Sequence, residues 1–117
     1  MTAIRQRAPS GRTPRPSRTT ATALPPQTEK QFQAAVVQFA KLTGWLVYHT
    51  HDSRRSEPGF PDLVLVRDDR IIYAELKTER GRMSAAQRTW QEALICAGAE
   101  HRVWRPSHWP IIESTLR

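Results

Sequence analysis

The sequence predicts an α/β domain whose elements follow the order αβββαβ, with a short helix at the C-terminal end. Two segments carry apolar residues at helical spacing, and four short runs are rich in β-branched and aromatic residues. Residues 1–27 show neither pattern. The folded part is therefore residues 28–117, which is long enough for one modest hydrophobic core.

The first helix is predicted to begin after Thr28, a suitable N-cap, and to end at Gly44. The apolar residues that we expect to face the core are Phe32, Ala35, Val36, Phe39 and Ala40. Glu29 lies nearly two turns before Val36, at the edge of the buried face. Its carboxylate is either part of a site or simply a favourable charge near a helix N-terminus.

Four strands are predicted at residues 45–49, 63–66, 71–77 and 101–105. The second and third strands are joined by a polar segment. If Asp68 and Asp69 form a two-residue hairpin loop, Val66 faces Ile71 and Asp62 faces Glu75. The two carboxylates are then cross-strand partners with Cα atoms roughly 5 Å apart.

A lysine completes this arrangement of acids. Lys77 shares a strand face with Glu75, whereas Leu76 points to the opposite face. Like charges directly opposite in a sheet repel each other, and a divalent cation removes the conflict. Mg²⁺ takes oxygen ligands, so Asp62, Glu75 and the backbone carbonyl of Leu76 are its candidate ligands. The alternative is a solvated strand end with acids placed by chance.

Such a site suits phosphodiester hydrolysis. The ion would polarise a phosphoryl oxygen and acidify a bound water. Lys77 would position that water or stabilise developing negative charge.

The motifs resemble those of a known family. The segment Gly59-Phe60-Pro61-Asp62-Leu63, the hairpin, the segment Glu75-Leu76-Lys77 and Gln87 on the next helix are similar to the VRR-NUC (virus-type replication-repair nuclease) branch of the PD-(D/E)xK nucleases. The similarity extends from about residue 28 to residue 107. It implies a restriction-endonuclease-like core, dependence on Mg²⁺ or Mn²⁺, and hydrolysis of DNA.

The resemblance also implies roles for individual residues. It assigns metal binding to Asp62 and Glu75 and a catalytic role to Lys77. Glu29 and Gln87 would support the active site, with Glu29 reaching the metal directly or through water.

Four arginines near the motif are candidates for contacts with DNA phosphates. Arg54 and Arg55 lie in the predicted loop before the motif, and Arg80 and Arg82 follow it. Solvated basic loops are the alternative. Many members of the family carry basic residues closer to the glycine that corresponds to Gly59, so the phosphate contacts stay open.

Ser84 is predicted to cap a second helix that ends before Gly98. Gln87 is the N3 residue of a capping box with Ser84, a role compatible with one in the active site. The residues expected to face inward are Ala86, Trp90, Ala93, Leu94 and Ala97.

The C-terminal helix is expected to begin near Ser107 and to bury Ile111, Ile112 and Leu116. Of the nearby tryptophans, Trp90 and Trp104 are predicted core residues. Trp109 is either core or part of an exposed patch for a second subunit.

The N-terminal tail carries most of the net charge. Of the formal charge of +7, the five arginines of residues 1–28 contribute +5, with no acid among them. This segment is rich in Pro, Ser and Thr, so we predict that it is disordered. It is either a basic arm that binds DNA phosphates or an inert extension. Its prolines disfavour the amphipathic helix of an organelle transit peptide.

Composition also bears on location. The sequence has no long apolar stretch, so neither export nor a membrane span is predicted. The single cysteine, Cys96, cannot form an internal disulfide, which fits a reducing compartment. We therefore expect a protein of the cytoplasm of a bacterium or a phage-infected cell.

The function predicted from the sequence is a Mg²⁺- or Mn²⁺-dependent DNA endonuclease. Kinship suggests a homodimer that acts on branched or Holliday-junction DNA, because symmetric cutting requires two sites related by a two-fold axis. Nonspecific nicking of duplex or single strands is the nearest rival within the enzyme class. The alternatives in another class are a catalytically inactive nucleic-acid-binding module with a basic arm and a coating protein bound through its tail.

Overall fold

A computed structural model describes residues 27–50 and 55–117. The predictions for the basic tail and for Arg54 concern residues outside these ranges. The elements are α1 (Glu29–Leu42), β1 (Leu46–His49), β2 (Leu63–Arg67), β3 (Arg70–Leu76), α2 (Ala85–Cys96), β4 (Glu100–Trp104), a 3₁₀ turn (Pro106–His108) and α3 (Trp109–Leu116). The predicted order αβββαβ with a short C-terminal helix is confirmed.

The four strands form one sheet in the order β1-β2-β3-β4. Strand β2 is antiparallel to both β1 and β3, and β4 runs parallel to β3 after the crossover through α2. The predicted hairpin register is confirmed, because Val66 pairs with Ile71 and Arg67 pairs with Arg70. Asp68 takes a positive φ of 54° in the turn, a conformation that aspartate tolerates better than most residues.

The core lies between one face of the sheet and helices α1 and α3. Side chains alternate along a strand, so Leu63 and Leu65 of β2 face this core together with every second residue of β3. The predicted stripe of α1 is confirmed for its centre, with Phe32, Val36 and Ala40 fully buried, whereas Ala35 and Phe39 are half-buried. The remaining core residues are Trp45, Ile72, Ala74, Leu76, Trp104, Ile112 and Leu116.

Helix α2 is less buried than the sequence predicted. None of its residues is fully buried, and Ala93 and Ala97 are exposed rather than inward-facing. The helix lies along the β4 side of the other sheet face, and most of its side chains are exposed. Trp90 is half-buried, with its ring edge-to-face against Phe60 at 5.0 Å, so its assignment to the closed core is wrong.

Helix α3 buries two of its three predicted residues. Ile112 and Leu116 lie four positions apart on its inner face, but Ile111 is on the other side and 59% exposed, so its predicted burial is wrong. Trp109 packs edge-to-face on Phe39 at 5.7 Å and borders the core. In residues 27–50 and 55–117, no helix is long and apolar enough to cross a membrane.

Candidate metal and active site

Asp62 and Glu75 lie close together at one end of the β2–β3 hairpin, where β2 begins and β3 ends. Asp62 immediately precedes β2, and its Oδ2 accepts a hydrogen bond of 2.8 Å from the Leu76 backbone N–H. Glu75 lies on β3, on the face away from the α1/α3 core, and is only 2% exposed. Within the described ranges it is the one charged residue that is fully buried. The register thus brings the two predicted carboxylates together.

The surroundings of Glu75 oppose its negative charge. Burial raises the pKa of Glu75 to about 9, and the neighbouring Asp62 carboxylate raises this pKa as well. Lys77 acts in the opposite direction, since its Nζ lies 3.9 Å from Glu75 Oε2. The charge of Lys77 lowers the pKa of Glu75 by less than burial and Asp62 together raise it. The pair therefore has an electrostatic environment that favours a bound cation.

Gln87 connects helix α2 to this pair. Its Nε2 donates a 2.7 Å hydrogen bond to Glu75 Oε2. Its Oε1 accepts from the Ser84 backbone N–H at 2.8 Å, and its own N–H donates to Ser84 Oγ at 3.1 Å. The capping box is confirmed, and the same amide completes that box with its oxygen and holds the Glu75 carboxylate with its nitrogen.

Glu29 lies beside the same group at the start of α1. Its side chain is exposed overall, but partial burial of the carboxyl raises its pKa, and the charge of Asp62 raises it further, while Lys77 lowers it. These mutual interactions place Glu29 at the rim of the site, near Asp62 and Lys77. The Thr28 and Gln31 capping box fixes this helix end.

The donor set fits a hard divalent ion. In the ranges 27–50 and 55–117, no three His, Cys, Asp or Glu side chains form a group that holds a metal by themselves. The backbone carbonyl of Leu76 is a further candidate oxygen beside Asp62 and Glu75. The Leu76 N–H points to Asp62, whereas the Lys77 N–H points to the carbonyl of Trp104 at 3.0 Å. Since the N–H and C=O of one strand residue point the same way, the Leu76 carbonyl faces the Asp62 side. Such a set leaves ligand positions for water and phosphate, as Mg²⁺ prefers.

A glycine contact that the sequence did not reveal sets the distance between the loop and α2. Gly59 has a φ of 86°, and a Cβ there would lie 2.4 Å from the backbone C and O of Ala86. The loop that carries Asp62 therefore packs directly on the first turn of α2, which carries Gln87. The sequence signal was the glycine itself, three residues before the aspartate, but its partner is distant in sequence.

The predicted phosphate-binding arginines that the structure describes lie at the surface of the molecule. Arg55, Arg80 and Arg82 are exposed. Arg80 lines a surface cavity of about 500 Å³ together with Thr28, at the end of α1 where Glu29 begins the helix. Arg80 is thus on the same side of the molecule as the site.

Comparison with known proteins points to one family. The profile of the VRR-NUC domain matches residues 4–107. A solved structure named "VRR_NUC domain protein" superimposes with a TM-score of 0.58 at 20% identity, covering 69% of this chain and 79% of that chain. Another, named "VRR_NUC domain", gives a TM-score of 0.56 at 23% identity, covering 64% and 81%. At these identities the structures show a shared fold. No curated protein matches the chain.

Proposed function

The chain belongs to the VRR-NUC domain family, and because the members of this family are generally nucleases, we propose that it is a metal-dependent DNA endonuclease that hydrolyses phosphodiester bonds. The observation that carries the proposal is the buried Glu75 opposite Asp62, with Lys77 Nζ 3.9 Å from Glu75 and Gln87 bonded to the same carboxylate. A purely structural sheet gains nothing from this arrangement of charges.

The chain's own groups divide the work. Asp62, Glu75 and the Leu76 carbonyl would hold Mg²⁺ or Mn²⁺, and Glu29 would act through a water. When bound, the ion polarises the phosphoryl oxygen and lowers the pKa of a water. Lys77 keeps an ammonium beside Glu75, where it orients the attacking water or stabilises charge on the phosphate.

Two hydrogen bonds fix the carboxylates in advance. The Leu76 N–H holds one oxygen of Asp62, and the Gln87 amide holds one oxygen of Glu75. The protein therefore orients both carboxylates before an ion would bind.

The substrate in this proposal is DNA. The formal charge of +7 favours a polyanionic partner, and the arginines of residues 1–28 would serve as a basic arm. Arg54, Arg55, Arg80 and Arg82 are the proposed phosphate contacts nearest to the motif. The proposed location is the cytoplasm of a bacterium or a phage-infected cell.

A homodimer acting on branched DNA is the finer form of the proposal, and an uncovered apolar surface supports it. Leu46 pairs with Val66, which pairs with Ile71, so these residues form one row across three strands. Leu46 is 75% exposed and Ile71 48%, and Tyr48 beside them is 61% exposed. A second copy on this face would bring two sites under one two-fold axis. Sedimentation of the wild type and of Leu46→Glu tests it, since a dimer should dissociate in the variant.

The function is tested by cleavage of a labelled panel: a four-way junction, a flap, a nicked duplex, a linear duplex and a single strand. Each substrate is incubated with Mg²⁺, Mn²⁺ or EDTA. Asp62→Asn should slow metal-dependent cleavage about 100- to 1,000-fold, because it removes a charged ligand. Asp69→Asn, in the exposed turn, is the matched control and should cut like the wild type.

The opposite outcome has a definite meaning. Wild type that binds DNA but cuts no substrate with either ion would contradict the nuclease and favour the inactive binding module. Removal of residues 1–27 distinguishes the nuclease from a coating protein. The nuclease should keep cutting DNA, with weaker, salt-sensitive affinity. A coating protein bound through its tail would instead lose its function.

A further inference from the structure

Arg105 makes an unusual set of contacts directly behind the proposed site. It follows the last residue of β4, and the two N–H groups of its Nη1 are shared among three backbone carbonyls: Thr78 O at 2.6 Å, Gly81 O at 2.7 Å and Glu79 O at 3.2 Å. All three carbonyls belong to the short loop that follows Lys77. One guanidinium group therefore fixes the path of this loop.

The chain around Arg105 holds the same loop at two further points. The Trp104 carbonyl accepts a hydrogen bond of 3.0 Å from the Lys77 N–H. The Ser107 N–H donates to Glu79 Oε2. The segment from Lys77 to Gly81 is thus hydrogen-bonded to Trp104, Arg105 and Ser107, at the end of β4 and just after it.

The loop in turn lies against the side chain of Lys77. The Gly81 N–H bonds to the Thr78 carbonyl at 3.2 Å, which closes a turn. A Cβ at Gly81 would lie 3.6 Å from Lys77 Cδ and 2.9 Å from Thr78 Oγ1, so the turn packs on the lysine stem. The Lys77 side chain is only 13% exposed although its stem is long and flexible.

We propose that Arg105 is a positioning residue that holds the loop formed by residues 78–81 in the conformation that keeps the Lys77 ammonium group beside Glu75. It touches neither substrate nor ion and acts through Lys77. Its effect on cleavage rests on the proposed nuclease function, whereas its effect on the order of the loop does not.

Single-turnover cleavage separates this role from DNA binding. Arg105→Met keeps the apolar stem without donors and should lower the maximal rate about 10- to 100-fold, as misplacement of a reacting group does. Affinity for uncut DNA in EDTA should change less than about threefold. Arg105→Lys, which retains N–H donors, should recover part of the rate. Arg102→Met is the matched control, because Arg102 lies on β4, three residues before Arg105, and its guanidinium bonds to Glu100 at the surface.

A double variant tests whether Arg105 acts through Lys77. In a Lys77→Ala background, Arg105→Met should slow the residual cleavage by less than about twofold, because the group that it positions is absent. A full effect of Arg105→Met in that background would overturn the proposal, since Arg105 would then act by another route.

Hydrogen exchange gives a readout that does not need activity. Arg105→Met should speed exchange at the Lys77 and Gly81 amides while the β2 amides stay protected, and Arg105→Lys serves if the methionine variant does not fold. If the wild type cuts no DNA, the nuclease proposal fails, but this exchange still decides whether Arg105 orders the loop. Unchanged exchange at both amides would overturn the inference.

Discussion

The two faces of the sheet differ in how completely they are covered. The face under α1 and α3 is closed, and Phe32, Leu65 and Ile112 on it are fully buried. The opposite face carries α2, which has no fully buried residue, and leaves Leu46 largely exposed. The polar site lies on this second face. Stability is thus concentrated on one side of the sheet and the proposed chemistry on the other.

This division has a physical reason. A buried carboxyl group such as that of Glu75 needs polar neighbours, which a closed apolar layer cannot supply. On the open face, Gln87 reaches Glu75 from α2, and Glu29 reaches the rim of the site from α1.

The largest contrast should come from the same substitution on the two faces. Leu65→Ala leaves a cavity in the closed core and should lower the free energy of unfolding by about 3 kcal/mol. Leu46→Ala on the open face should change it by less than about 0.5 kcal/mol in the monomer. Urea denaturation measures both. Equal losses would mean that the open face is covered in solution.

A smaller contrast is expected between two glycines with positive φ. Gly59→Ala adds a clash with the Ala86 backbone to the backbone strain and should cost about 2 to 3 kcal/mol. Gly98→Ala has the same sign of φ but nothing within 4 Å of the added Cβ, so it should cost about 1 kcal/mol. Thermal unfolding of both variants checks this, and similar losses would argue against tight packing of the motif loop on α2.

Gln87 and Ser84 sharpen the comparison at the site itself. Both variants Gln87→Ala and Ser84→Ala break the capping box, at about 1 kcal/mol of stability. Only Gln87→Ala also removes the hydrogen bond to Glu75 Oε2. It should slow cleavage about tenfold, which is about 1.4 kcal/mol of activation free energy. Ser84→Ala should change the cleavage rate by less than about threefold. Equal cleavage by the two variants would leave Gln87 with its structural role alone.

The burial of Glu75 also predicts a pH dependence of stability. The folded-state pKa of Glu75 is raised to about 9 from an ordinary 4.5, so the unfolded chain releases this proton first as pH rises. Metal-free protein should therefore lose stability between about pH 4.5 and 9, by at most about 1.4 kcal/mol per pH unit. Glu75→Gln should flatten this slope, measured by urea denaturation in EDTA. A wild-type slope that equals the variant's would contradict the burial of an acid there.

The sequence predicted features that depend on neighbours along the chain. The turn at Asp68 and Asp69 determined the hairpin register, and that register placed Asp62 opposite Glu75. Thr28 caps α1, and Ser84 and Gln87 form the predicted capping box of α2. The proximity of Asp62 and Glu75 was therefore predictable before the structure.

What the sequence did not predict depends on contacts between distant segments. Periodicity shows which helix face is apolar but not whether another layer covers it, so Ala93 and Ile111 were wrongly expected to be buried. The packing of Gly59 on Ala86 and the bonds of Arg105 to the loop after Lys77 join segments far apart in sequence.

The most direct test of the metal site is calorimetric titration of Mn²⁺ into the wild type and Asp62→Asn at pH 7, in two buffers with different ionisation enthalpies. Glu75 must lose its proton to become a ligand, so we predict that the wild type binds the ion with a heat that depends on the buffer, and that Asp62→Asn loses this binding. Absence of binding to the wild type, or equal binding to both proteins, would contradict the assignment of Asp62 and Glu75 as the metal site.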